Sequence, residues 1–222
     1  MSKKSRLFCA VVALMTGLTL QAKTFREVRA AAEQGDADAQ FELALYHSVG
    51  ICVKRDAAEE EKWFRKAAEQ GHVTARAYCL SEGYGAKKDL EKAAEIARPA
   101  AEAGDPWAQF CMGIHYAGKN DPEKSLLWFR KAAEQGNSWA QVCAGMAYLG
   151  IMKDTPEDLE QTVCWFRKAA EQGNPLGQMM LAGCYAGGKG VPRDIEKAVY
   201  WFRQAAEQGC EQAKAALKKM GK

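Results

Sequence analysis

Apolar residues recur along this chain in two alternating helical patterns. One pattern is a run of small, apolar and aromatic residues, such as AQFCMGIHY at 108–116. Positions four apart share a helix face. Ala108, Met112 and Tyr116 form such a line, as do Ala140, Ala144 and Tyr148, and Gly177, Leu181 and Tyr185. The other pattern places apolar residues at helical spacing in a more charged background, for example Ala198, Trp201, Phe202 and Ala205. Small residues one place past the first line (Ala44, Gly113, Gly145, Ala182) let a second helix approach closely.

The patterns repeat. The phrase AAEQG or a near variant closes at Gly35, Gly71, Gly104, Gly136, Gly173 and Gly209, at spacings of 36, 33, 32, 37 and 36. Each Gly is followed four residues later by a small anchor: Ala39, Ala75, Ala108, Ala140 or Gly177. Each of Asp56, Asp89, Asp121, Asp158 and Asp194 precedes a closing Gly by fifteen residues. All variation falls between anchor and Asp. Two rigid helices joined by one variable turn produce this arithmetic.

The junctions carry helix signals. The closing Gly suits a left-handed position after a helix, where a side chain is strained. Asp36, Asp105, Asn137 and Asn174 follow as N-caps, whereas His72 and Cys210 are poorer ones. Pro106 and Pro175 fall at the first helical position. The chain therefore divides into five helix–turn–helix units at about 36–71, 72–104, 105–136, 137–173 and 174–209. A lone helix at about 24–34 precedes them, and a short one at about 211–220 follows. Each unit is expected to bury its faces on its neighbours, in a quasi-one-dimensional stack.

Charge alters this picture at one end only. The chain has 31 Lys+Arg and 28 Asp+Glu. Lys3, Lys4 and Arg6 lie in residues 1–22, which hold no acid. Without these three, 28 basic residues face 28 acidic ones. Net charge thus gives no argument for nucleic acid. Residues 1–22 read as a secretory signal peptide: a basic start, an apolar run from about Leu7 to Leu20, and Ala22 before the cut. The run is short for a membrane span. The expectation is an exported protein, periplasmic or secreted, with a repeat domain over 23–222 and no membrane insertion once the segment is removed.

The phrases AQFELALYHSVG, WFRKAAEQG and GGKGVPRDIEKAVYWFRQAAEQG together closely resemble the Sel-one-like repeat family, a relative of tetratricopeptide repeats. The resemblance spans about residues 24–220. It implies an all-α fold, a right-handed α-solenoid of five antiparallel helix pairs with a capping helix at each end. It also implies adaptor or scaffold roles in protein complexes, often envelope-associated, and no shared catalytic residues. Some exported relatives pair cysteines across each unit. Here the second-helix positions are mostly Ala, so that pairing is not expected.

The second unit departs from the pattern. Ile96 replaces Trp, Gly83 replaces Tyr and Arg76 replaces Gln. Pro99 falls inside its second helix, where it should kink or break the ladder. A local irregularity is expected here.

In the resemblance, first helices line the concave wall. Positions three and seven past each anchor form a stripe there. Its expected partner-binding residues are Glu42, Tyr46, Tyr78, Glu82, Cys111, His115, Cys143, Met180 and Cys184. Tyr would anchor a protein or peptide segment and Met would adapt to it. The bland reading is that these residues fill gaps between helices. The Trp-Phe pairs read as core, and Gln40, Gln109, Gln141 and Gln178 as partners of turn backbone. Outside Cys9, seven cysteines remain, an odd number. Cys143 and Cys164, within one helix pair, make the better candidate bridge, and most of the others read as buried thiols.

No Gly-x-Ser-x-Gly, phosphate loop or dinucleotide fingerprint occurs, and the chain has three His. The reading is therefore a non-enzymatic scaffold that needs no cofactor. The alternatives are an envelope hydrolase, with His115 its last candidate, or a thiol or soft-metal binder using Cys111, His115, Cys143 and Cys184. Those ligands lack an obvious full set, so no metal site is expected.

Overall fold

The computed structural model describes residues 24–150 and 158–222. The expected signal segment lies outside them, as does part of the fourth unit's variable turn. Twelve helices are formed among the described residues. A lone α1 (Phe25–Glu33) comes first. The five pairs are α2 (Ala37–Val49) with α3 (Ala57–Glu69), α4 (Val73–Glu82) with α5 (Leu90–Glu102), and α6 (Pro106–Gly118) with α7 (Pro122–Glu134). They continue with α8 (Ser138–Tyr148) and α9 (Leu159–Glu171), then α10 (Pro175–Gly187) and α11 (Ile195–Glu207). Helix α12 (Glu211–Lys219) closes the array. Consecutive helices pack on one another throughout, as a helical solenoid requires.

Local chemistry sets the boundaries. Asp36, Asp105, Asn137 and Asn174 each accept the N–H three residues on, and so do all five of the Asp residues that open second helices; Asp56 and Asn174 also accept the N–H two residues on. Each such cap contributes about 1 kcal/mol. The six closing glycines all have left-handed φ, from 79° at Gly173 to 101° at Gly104. His72 is a better cap than expected. Its Nδ1 accepts Ala75 N–H at 3.1 Å while its ring stacks on Phe41 at 5.0 Å. Cys210 makes no side-chain cap bond.

Small residues control how closely the helices of a pair approach. A Cβ on Gly113 would lie 2.5 Å from the Phe129 ring, and one on Gly145 2.5 Å from the Phe166 ring. Those phenylalanines are buried, with Phe64. The tryptophans of the pairs are less uniform: Trp63 and Trp165 are buried, but Trp128 and Trp201 are half-buried.

A ladder of glutamines joins the units. Gln40 Nε2 donates to Ala32 O, and its Oε1 accepts Gln70 Nε2 at 2.7 Å. Gln109 with Gln135, Gln141 with Gln172, and Gln178 with Gln208 repeat the arrangement. The expected backbone role of the first glutamine holds, and the glutamine of the closing phrase is its partner.

The second unit lacks both members of that pair, with Arg76 and Ala103 in their places. Its core is a separate cluster, made mostly of Ala77, Ala93, Ala94, Ala97, Ala101 and Ala108 around Cys111 and Met112. Alanines bury little apolar area each, so this segment of the core is weakly held. Of the kink or break expected at Pro99, the break does not occur: α5 runs through the residue. Pro99 lies on the exposed side, where water can satisfy the carbonyl it frees.

The stack is not one-dimensional. Superhelical curvature returns later units to the first. Phe41 meets Trp107 of the third unit at 5.0 Å, and Tyr46 meets Trp139 of the fourth at 5.1 Å. Phe25 N–H donates to Gln208 Oε1 at 2.8 Å, and Gln212 Nε2 to Gly50 O at 2.7 Å. A disulfide joins Cys52 to Cys210, 158 residues apart. The candidate Cys143–Cys164 bridge is not formed, and both are free thiols with Cys79, Cys111 and Cys184.

Candidate functional site

The expected stripe lies on consecutive first helices, but the curvature treats its members differently. Tyr46 is 0% exposed, and Cys111 and Cys184 are also buried. Glu42, Tyr78, His115, Cys143 and Met180 are half-buried, and Glu82 is exposed. Tyr46, Cys111 and Cys184 therefore offer no surface in this state. The aromatic contacts across the array fill the inner wall at the first unit. Two residues that carry this filling, Trp107 and Trp139, were not among the expected site residues. Their signal was available: each stands directly before an anchor, where other units have Asp38, Thr74 and Leu176.

Electrostatics separates the members further. Glu42 accepts the Trp139 indole N–H at 3.2 Å. Tyr46 Oη is buried without a hydrogen-bond partner. Burial, and then the Glu42 charge beside it, hold the Tyr46 phenol well above its usual range. Tyr78 stacks on Phe64 at 4.1 Å, and burial pushes its phenol up too. Glu82 pairs with Lys88 at 3.8 Å in the open.

Burial disfavours the thiolate at the three cysteines of the stripe. Burial pushes Cys111 and Cys143 up to about 12, and raises Cys184. The thiolate is the reactive and metal-binding form. Desolvation lowers the His115 pKa, with the nearby Lys119 ammonium acting in the same direction. His115 packs edge-on against Tyr116 at 5.2 Å. Among the described residues, no three of His, Cys, Asp and Glu gather as a metal site would need.

What remains open is a rim of consecutive helix faces: Tyr78 and Glu82 on α4, His115 on α6, Cys143 on α8 and Met180 on α10. It mixes aromatic, charged and soft groups.

An array of five antiparallel helix pairs, each closed by a left-handed glycine and four of them tied by paired glutamines, defines an α-solenoid repeat protein. The chain belongs to the Sel1 repeat family: the Sel1 repeat model matches residues 37–72, 75–105, 108–137, 140–174 and 175–210. Sel1 repeats typically serve as protein–protein interaction scaffolds. Among solved structures, a protective antigen of uropathogenic Escherichia coli strains with this fold is 33% identical, with a TM-score of 0.62 over 89% of this chain and 44% of that one. A Sel1 repeat protein from Oxalobacter formigenes is 35% identical, with a TM-score of 0.57 over 88% of this chain and 59% of that one. The chain thus spans about half the length of these two proteins. A Pseudomonas aeruginosa immunity protein shares the fold alone, at 16% identity and a TM-score of 0.52 over 83% of this chain and 73% of that one. No curated protein matches the chain.

Proposed function

We propose that this protein is a non-enzymatic scaffold of the bacterial cell envelope, exported and then engaged by a protein or peptide partner. The partner is proposed to lie along the open rim of the first helices, touching Tyr78, Glu82, His115, Cys143 and Met180. The observation that carries this reading is the partial exposure of these side chains at matching positions on successive helices. A preformed row of this kind costs a partner little ordering on the scaffold's side.

Export is supported by two features. The N-terminal residues read as a signal peptide, and the Cys52–Cys210 disulfide suits an oxidising compartment. No helix among the described residues is long and apolar enough to cross a membrane.

A photo-crosslinking amino acid placed at Glu82, His115 or Met180 tests the proposal in intact cells. The expected result is one captured protein common to the three rim positions and absent from a control at Arg130, which is exposed on an outer helix. Equal capture from Arg130, or none from the rim, overturns it.

A further inference from the structure

Three of the four Trp-Phe pairs carry a lysine over the indole. Lys66 Nζ lies 4.5 Å from the Trp63 ring centroid, Lys131 4.3 Å from Trp128, and Lys168 4.0 Å from Trp165. In each unit the lysine stands three residues after the tryptophan, so the helix itself delivers the cation to the ring. The last unit breaks the rule. Gln204 occupies the lysine position, and its Nε2 turns to Glu207 Oε2 at 3.5 Å. Among the described residues, no Lys or Arg is placed over Trp201. The ring's neighbour is Tyr200, edge-on at 5.0 Å.

The place left by the lysine is an open cavity of about 550 Å³, lined by Trp201, Tyr200, Gln204, Glu207, Glu171 and Arg26 among others. Tyr200 is 55% exposed, the most of any large apolar side chain described. Two carboxylates and one guanidinium are among the groups that line it. Glu171 also lacks the helix pairing seen in the third unit. There Arg130 lies 3.5 Å from Glu134, whereas its counterpart Arg167 donates to the Tyr185 hydroxyl at 3.2 Å.

We propose that this cavity receives a lysine or arginine side chain from a partner polypeptide. Its cationic head takes the position over Trp201 that Lys66, Lys131 and Lys168 take over their own indoles, and Glu171 and Glu207 supply the negative rim. The proposal rests on the scaffold reading in taking the cation from a polypeptide, but it concerns a second surface. The cavity lies at the seam where the last unit meets the start of α1, and none of the rim residues lines it.

The test is an NMR titration of the full chain with acetyl-Gly-Lys-Gly-amide, read at the Trp201 indole N–H, which Trp201→Phe assigns. The expected result is a saturable shift of that resonance with those of Trp63, Trp128 and Trp165 unmoved. The matching glutamine peptide should bind at least about tenfold more weakly. Gln204→Lys should abolish the response, since the chain then covers its own ring. Lysine is native at this position in three sister helices, and unchanged indole resonances elsewhere would verify the variant's fold. A Trp201 resonance that ignores the lysine peptide, answers both peptides equally, or keeps its response in Gln204→Lys overturns the proposal. So does one that moves with protein concentration alone, which assigns the cavity to a second copy. Failure here with successful capture at the rim removes this site and leaves the scaffold reading standing.

Discussion

Gln208 accepts the backbone N–H of Phe25 at 2.8 Å, across 183 residues of chain. Its Nε2 also donates to Gly173 O and to Gln178 Oε1, both at 2.9 Å. One buried amide thus ends the glutamine ladder and ties the first helix to the last unit. Gln208→Ala strands the Phe25 N–H and should cost about 2 kcal/mol in urea denaturation. Gln70→Ala removes a more exposed link of the same ladder and should cost about 1 kcal/mol. Hydrogen exchange at Phe25 should quicken in the first variant only.

Helix approach makes a sharper prediction. Gly113→Ala drives a methyl group into the Phe129 ring and should destabilise by about 2 kcal/mol. Gly183→Ala is the control, since a Cβ there meets nothing within 4 Å. It should stabilise by about 0.5 to 1 kcal/mol through helix propensity alone. Equal effects at the two sites would mean that close packing is not what the Gly113 position requires.

The second unit should be repairable. Arg76→Gln with Ala103→Gln restores the missing pair and should raise stability by about 1 kcal/mol, more than the two single changes summed. Hydrogen exchange should show the gain within α4 and α5.

Ring closure can be counted chemically. Of the seven cysteines in residues 24–222, alkylation under denaturing, non-reducing conditions should label five and spare Cys52 and Cys210. Reduction should lower stability by roughly 5 kcal/mol, given the length of chain the bond closes. Cys210→Ser should abolish that difference.

The capping aspartates predict a pH dependence. The backbone N–H groups of Glu59 and Ala58 hold Asp56 below its usual pKa. Lys124, by side chain and then backbone, does so at Asp121, and Lys197, by backbone and then side chain, at Asp194. A carboxyl depressed in the fold takes up its proton first in the unfolded chain. Stability is therefore complete above the ordinary range near about 4, and is lost as pH falls through the lower folded values. The melting temperature should drop between about pH 5 and pH 2. Replacing all three by Asn, which still caps, should flatten that slope.

The helices and their ends were legible because their causes lie within a few residues of chain. Asp, Asn, Pro and Gly act on the adjacent turn, and small anchors recur at fixed offsets. The candidate site was legible only in part. The offsets group Tyr46 with Tyr78 and His115, yet Tyr78 and His115 are half-buried and Tyr46 is core. Nothing in the spacing says which face meets Trp139, 93 residues further on. His72 misled for a related reason: its rank as a cap ignores Phe41, whose ring orients the imidazole.

The sequence by itself determined an array of five helix pairs with a cap at each end, and it marked the second unit as irregular. The tertiary structure alone decided that the array curves back on itself. Small rotations between units accumulate, and their sum brings Phe25 to Gln208 and Cys52 to Cys210. A repeat pattern records how each unit meets the next; it carries no term for the total angle. That angle turns part of the expected inner surface into core, leaves a rim open, and sets the uncovered Trp201 beside the start of the chain's first helix.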